Sequence, residues 1–229
     1  MSASSDPNQV SRHHGVESAW QESLLGQLTP SAQAALRSRA VERVLPAGTT
    51  SASEPLLVLD GLMRVFCTDG ARHVTVRYAG RGDVTGIPAA LGLDAGLRIQ
   101  SLAPTRLYVL DAPLLRECLL ATPRDTIAAT RAVAEGHASI LGVLSDHIFL
   151  TVRERVIRHL LERAHWDATT RRAVHETSRD IADAIASVAT VVGRVLGVLE
   201  WEGALTRRSG RVTAVDAVVL HQLLRGAAP

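Results

Sequence analysis

The chain has 229 residues, 46% of them hydrophobic, which is enough for two modest cores and too much for one small module. Its formal net charge is only +2, which excludes a strongly basic non-specific binder, and its two cysteines, Cys67 and Cys118, stand far apart without a CxxC or a histidine partner, so a structural zinc or a thiolate-held iron–sulfur cluster lacks ligands. No apolar run approaches the length of a membrane span and the opening M-S-A-S-S-D-P-N-Q-V lacks an apolar signal core, so a cytoplasmic protein without a membrane partner is expected.

Residues 1–18 are polar and Ser-rich and are expected to be poorly ordered. Across 19–122 the pattern becomes short apolar or alternating runs, Leu56 to Leu59, Leu62 to Cys67, His73 to Tyr78 and Arg106 to Leu110. Asp60-Gly61, Asp69-Gly70 and Gly80-Arg81-Gly82-Asp83 supply tight turns between them, and the whole reads as a small all-β barrel or roll. From 123 to 150 the period lengthens to that of a helix. Ile127, Ala134, Leu141 and Ile148 recur every seven residues, with Thr130, His137 and Leu144 three residues after the first three, a coiled-coil-like seam against a second copy of the chain. Val133, Ile140 and Val143 widen the apolar surface and are expected to pack on the roll.

Residues 151–229 carry the most informative stretch. Thr177 and Asp180 have the spacing of a reciprocal capping box, which opens a helix near Ser178. Ile181, Ala182 and Ile185 give it one apolar face, and Ala186-Ser187-Val188 breaks the period. A second helix over 188–200 buries Val191, Val192, Val195, Leu196 and Leu199 and stops at Gly203. Its other face is small, with Ala189, Thr190, Gly193 and Gly197, and only Arg194 projects from it. Leu205, Arg207, Arg211 and Thr213 then alternate around the tip Arg208-Ser209-Gly210, a basic hairpin. This half holds 12 Arg against 9 acidic residues, and residues 1–150 hold 13 against 14, so the small positive excess lies here. Helix, short turn, helix and basic hairpin in that order form the layout of a winged helix-turn-helix. In such a layout one guanidinium on a bare helix face suits guanine O6 and N7, and a cationic hairpin suits phosphate.

On these motifs the chain resembles the Crp/Fnr superfamily of bacterial transcription regulators over about Leu45 to Leu224. The resemblance is carried by D-I-A-D-A-I followed by G-R-V-L and E-W-E-G-A-L, and by F-L-T-V-R-E-R-V-I-R-H-L-L ahead of them. It implies an α+β fold: an N-terminal cyclic-nucleotide-binding-like β-roll, a long dimerisation helix and a C-terminal winged helix-turn-helix. It also implies a homodimer on double-stranded DNA, with RNA polymerase as a conceivable further partner and no enzymatic activity. Carried over residue by residue, the base-reading positions fall on Ala189, Thr190 and Arg194. Contacts to phosphate fall on Thr177, Ser178 and Arg179, with Arg207, Arg208 and Arg211 from the hairpin. The dimer seam is Ile127, Ala134, His137, Leu141, Leu144 and Ile148. The family's leading Arg-Glu pair is Ala189-Thr190 here, so two direct base contacts are lost and the preferred half-site should differ from the family's common one.

The segment G-D-V-T-G-I-P-A-A-L resembles the family's phosphate-binding cassette, which places an effector pocket at Gly82, Asp83, Gly86, Ile87, Arg98, Ile140 and Leu141. Ile87 stands where the cassette has a ribose-binding Glu, Arg98 lies three residues beyond the position aligned with the phosphate-binding Arg, about Ala95, and Ile140-Leu141 replace the hydroxyls that bond adenine. Cyclic AMP is thereby demoted. No cofactor is specified, and an effector, if one binds, has no stated identity. A haem would need His73, His137 or His147, none with a supporting motif. Three alternatives stay open: a cyclic-AMP-responsive regulator with an atypical cassette, a ligand-sensing or adaptor protein whose helix-turn-helix meets protein, and an enzyme, for which no nucleophile elbow or phosphate loop is present.

Overall fold

The run Leu56-Leu57-Val58-Leu59 is buried at every position, which a strand manages only when both of its faces are covered. Leu56 and Val58 face a cluster with Met63, Val65, Ala79, Ile99 and Leu107, while Leu57 and Leu59 face helices and pack with Trp20, Leu28, Leu36, Leu115 and Leu119. A sheet–sheet core and a helix–sheet core therefore meet on one strand. The computed structural model describes residues 16–70, 72–93, 96–170 and 176–226.

In chain order the elements are α1 (16–22), α2 (Leu24–Gln27), α3 (Pro30–Arg39), β1 (Val41–Leu45), β2 (Thr50–Ala52), β3 (Leu56–Asp60), β4 (Met63–Asp69), β5 (Arg72–Ala79), β6 (Val84–Thr85), α4 (Ile87–Ala90), β7 (Arg98–Ser101), β8 (Thr105–Val109), α5 (Ala112–Leu120) and α6 (Pro123–Phe149). There follow α7 (Val152–Thr170), β9 (Glu176–Thr177), α8 (Ser178–Ala184), α9 (Ala189–Trp201), β10 (Leu205–Arg208), β11 (Arg211–Val215) and α10 (Ala217–Gly226). One sheet runs β1-β8-β3-β6, a second β2-β7-β4-β5 and a third β10-β11-β9. The fold class is α+β, as the sequence implies.

Two compact units are distinguished. The first takes in the chain before Phe66 together with Tyr78–Ala138, and the second Phe66–Arg77 with Ser139–Pro229. The division falls inside α6, so the helix expected over 123–150 contributes to both. Residues 16–18, placed in an unordered segment, lie in α1, where Glu17 accepts two hydrogen bonds from Arg37, at 2.5 and 2.9 Å, and Arg37 lies 4.5 Å above the buried Trp20 ring. The rest of that segment, 1–15, lies outside the described residues. The four expected strands are β3, β4, β5 and β8; the strands without an apolar run of their own are the short or exposed ones, β1, β2, β6 and β7.

Helix α6 turns a stripe of small residues inward, with Ala128 and Ala129 buried and Ala132 half-buried. Val133 and Ile140, expected against the roll, are exposed, and within the first unit the alanines take the inward stripe instead. The start of the helix is fixed by Asp125, fully buried, whose carboxylate accepts from the Thr29 amide at 2.7 Å, the Thr29 hydroxyl at 3.1 Å and the Thr122 hydroxyl at 2.6 Å. Burial alone would raise its pKa, but the hydrogen bonds from Thr122 and Thr29 outweigh it and hold the carboxyl below its ordinary value.

At the other end of α6, in the second unit, His147 Nδ1 lies 2.6 Å from Arg155 Nη1, and the same nitrogen donates to the Ile185 carbonyl at 3.0 Å. Asp146 pairs with Arg158 beside it. Burial pushes the His147 pKa down, the Arg155 charge adds to that, and Asp146 opposes both. A β-bridge from Val74 also reaches Ile185, so this residue is held from two sides.

Two predictions follow from these polar contacts. The stability that Asp125 supplies is complete above the free-carboxyl value and is lost as pH falls through the lowered folded value; Asp125→Asn should cost about 1–3 kcal/mol at neutral pH and flatten the acid limb of the unfolding curve. His147 must stay neutral in the folded chain, so stability is present above the free-imidazole pKa and falls as pH drops through the lowered folded one. Melting curves between about pH 7.5 and 5.5 should show that loss in the native chain and a smaller one in His147→Gln.

Candidate nucleic-acid interface

Helix α8 starts as its sequence requires. Thr177 Oγ1 accepts from the Asp180 amide at 3.2 Å and Asp180 Oδ2 accepts from the Thr177 amide at 2.8 Å, a complete capping box. The helix buries Ile181, Ala182 and Ala184 and ends at Ile185. Ala186 then takes a left-handed conformation, φ 50°, and the Ser187 amide returns to the Ala182 carbonyl at 2.9 Å. That reversal places Val188 as the extended N-cap of α9, with no side-chain cap of its own. Helix α9 buries Val192, Leu196 and Leu199 completely and stops where Gly203 adopts φ 76° and the Ala204 amide bonds back to the Leu199 carbonyl.

The outward face of α9 differs from the small-residue surface that the sequence suggests. Thr190, Val191, Arg194, Val198 and Trp201 are the exposed positions, with Val191, Val198 and Trp201 at 38, 46 and 87%. At 100° per residue they fall in one arc opposite the buried trio. The glycines flank this arc instead. A Cβ on Gly193 would lie 3.6 Å from Ser178 Oγ and one on Gly197 3.8 Å from Arg207 Nη2, ordinary contact distances that a small side chain could also meet. Val191 was expected in the core; the core has room for one narrow stripe, and hydrophobicity cannot choose among Val191, Val192, Val195 and Val198. Of the three base-reading positions, Thr190 and Arg194 are exposed and Ala189 is half-buried against the core.

The hairpin β10–β11 turns on Ser209 and Gly210, both at positive φ, 51° and 76°, which matches a two-residue type I′ connection. Arg208 and Arg211 flank the turn as partners and are exposed. Arg207, grouped with them as a phosphate contact, is committed elsewhere. Beside a register shift that makes Thr213 the extra residue of β11, its side chain gives Glu200 two hydrogen bonds, from Nε at 2.9 Å and Nη2 at 2.6 Å, and its amide adds a third at 3.0 Å. These bonds hold the Glu200 carboxyl below its ordinary value.

Most neighbouring guanidiniums are likewise engaged, Arg153 with Glu202 and Arg163 with Glu176. By contrast, Arg179, Arg194 and Arg208 are exposed and have no hydrogen-bond or ion-pair partner among the described residues. Thr177 spends its hydroxyl in the cap and Ser178 is half-buried beside Gly193. Sequence reasoning missed the Glu200–Arg207 pair; an acid and a base seven residues apart across a helix end and a strand carry no local spacing rule that would announce it.

In the roll, Asp83 Oδ2 accepts from the Gly80 amide at 2.8 Å, a bond within its own turn. Gly82 and Gly86 take positive φ, and a Cβ on Gly86 would lie 2.2 Å from the Glu54 carbonyl oxygen, so only glycine fits there. Ile87, assigned to an effector pocket, is buried in the helix–sheet core, because the helix it opens packs there. Arg98 is exposed at the start of β7, the aligned Ala95 lies outside the described residues, and Ile140 and Leu141 are exposed and belong to the second unit. The seam residues Ile127, Ala134, His137, Leu141, Leu144 and Ile148 are all exposed. Of the histidines considered as iron ligands, His147 faces Arg155 and His73 lies 5.2 Å from the Phe66 ring. Among the described residues, no group of three or more metal-ligating side chains comes together, and no helix is long and apolar enough to cross a membrane.

No protein-family model matches the chain, and no curated protein does. Solved structures do. A structure assigned to the Crp/Fnr family of transcriptional regulators, from Eubacterium rectale, matches with a TM-score of 0.75 at 18% identity, over 88% of this chain and 97% of that one. A Crp/Fnr-family transcriptional regulator from Thermus thermophilus matches at 0.66 and 20% identity, over 81% and 98%. A c-di-GMP-responsive global regulator from Xanthomonas campestris matches at 0.64 and 17%, over 82% and 100%. Likeness at these identities is a likeness of architecture: the chain has the fold of the Crp/Fnr regulators.

Proposed function

We propose that the chain is a dimeric, sequence-specific DNA-binding transcriptional regulator of the Crp/Fnr type. The observation that carries this reading is the outer arc of α9, where Arg194 stands exposed and unpaired while most neighbouring arginines are tied down. A free guanidinium on a helix that follows a short turn suits bidentate contact with guanine in a major groove. Thr190 reads beside it. Arg179 and Arg208, also unpaired, and the exposed Arg211 contact the flanking phosphates, and Arg207 serves to fix the hairpin against α9.

The dimer is formed by α6. Ile127, Leu141, Leu144 and Ile148 are 65, 49, 53 and 62% exposed at heptad-related spacing, an apolar face that a second copy of the same helix complements. Two reading helices about 34–36 Å apart then address a near-palindromic operator. Such a protein acts in the cytoplasm and has no catalytic role. The roll serves as an effector or scaffold domain, and its Ile87 and exposed Arg98 speak against the usual cyclic-AMP contacts.

Selection of bound duplexes from a random pool tests the reading. Salt-sensitive retention of a near-palindromic sequence is expected, and Arg194→Ala should cost about 1–3 kcal/mol and relax preference at one base pair per half-site. A uniform loss over all sequences would move Arg194 to the backbone, and no retention of any duplex would favour a protein-binding adaptor. Leu144→Glu, placed on an exposed position, should convert the dimer to monomer in sedimentation and, at fixed salt, weaken operator binding by more than about tenfold, on the order of 1.4 kcal/mol or above.

A further inference from the structure

The apolar members of the α9 arc lie outside the helix's buried stripe. Val191 is 38% exposed, and the buried stripe of α9 consists of Val192, Leu196 and Leu199. A valine on an exposed helical position is a poor helix former, so local stability does not account for it. It stands three residues before Arg194, a spacing at which side chains on a helix are neighbours, and one after the exposed Thr190. Along the axis that separation is roughly 4.5 Å, close to a single base-pair step of about 3.4 Å.

We propose that Val191 is a specificity-determining residue that packs on the 5-methyl group of a thymine one or two base pairs from the guanine held by Arg194. This deepens the DNA-binding reading and rests on it. Helices of this type present their N-terminal residues to the base edges, which favours Val191 over Val198 and Trp201, seven and ten residues farther along. In the major groove thymine alone of the four bases offers a methyl, and an apolar side chain has no hydrogen bond to gain from the donors and acceptors of the other three. With one guanidinium, one hydroxyl and one isopropyl group in reach, the half-site that fits this surface couples a guanine to a thymine.

The experiment takes the operator obtained from the random pool and replaces its thymines by deoxyuridine one at a time, which removes only the methyl. One substitution per half-site should weaken binding of the full-length native chain by about three- to fivefold, the worth of one buried methyl. Val191→Ala should lose a similar factor on the thymine duplex and become indifferent to uracil at that position. Val191→Thr, which keeps a methyl and the β-branched shape, should retain the uracil sensitivity. Circular dichroism spectra of both variants should overlay that of the native chain, since the position is outside the core. Specific binding that tolerates uracil everywhere, or a Val191→Ala variant as sensitive to uracil as the native chain, would overturn the proposal and leave the regulator reading standing. Absence of any sequence-specific binding would overturn both.

Discussion

The carboxylate of Glu176 is the constraint on which the second unit is organised. It lies 2.9 Å from His159 Nε2 and 3.3 Å from Arg163 Nε, with all three side chains buried, while its backbone pairs with Val212 of β11. The next residue, Thr177, pairs with Arg211 and opens α8 through its capping box. Two consecutive residues thus join α7, the hairpin and the first helix of the pair. A buried ionic cluster of this kind adds little net stability over apolar side chains of equal volume, but leaving one charge behind without its partner is costly. Here its effect is on register: a strand of only two residues has few other means to fix which residue faces inward and where the following helix begins.

From that anchor the direction of α9 follows by short steps. The α8 cap sets the start, Ile185 ends the helix under the joint hold of Arg155 and the Val74 bridge, Ala186 reverses the chain, and the Val192, Leu196 and Leu199 stripe seats α9. None of these steps uses Thr190, Val191 or Arg194. Thr190 and Arg194, the proposed base-reading pair, therefore take no part in seating the helix.

How much of this was readable in advance depends on the range of the interaction concerned. The Thr177–Asp180 cap, the Gly203 stop and the Ser209-Gly210 turn are local, each fixed by a few neighbouring residues, and the structure has them where the sequence puts them. The strongly apolar strands were legible for the same reason. What could not be read was the sidedness of elements rich in one residue type. Helix α9 carries four valines besides its leucines, and only tertiary packing decides that Val192 goes in while Val191 and Val198 stay out. In α6, alanines too small to register as a hydrophobic face take the inward stripe and leave Val133 and Ile140 exposed. The diversion of Arg207 to Glu200 joins a helix end to a strand, which no spacing rule predicts, and the Glu17–Arg37 pair that ties α1 to α3 spans twenty positions.

The engagement of Arg207 by Glu200 bears on how such a protein would search a genome. Each locked arginine is one fewer cation to displace counterions from the duplex, and that displacement supplies the hold on arbitrary sequence. In a protein of the proposed kind, such locking together with a net charge of only +2 would shorten residence on random DNA and leave discrimination to the side chains that touch base edges. There the Glu200–Arg207 pair would trade grip for selectivity.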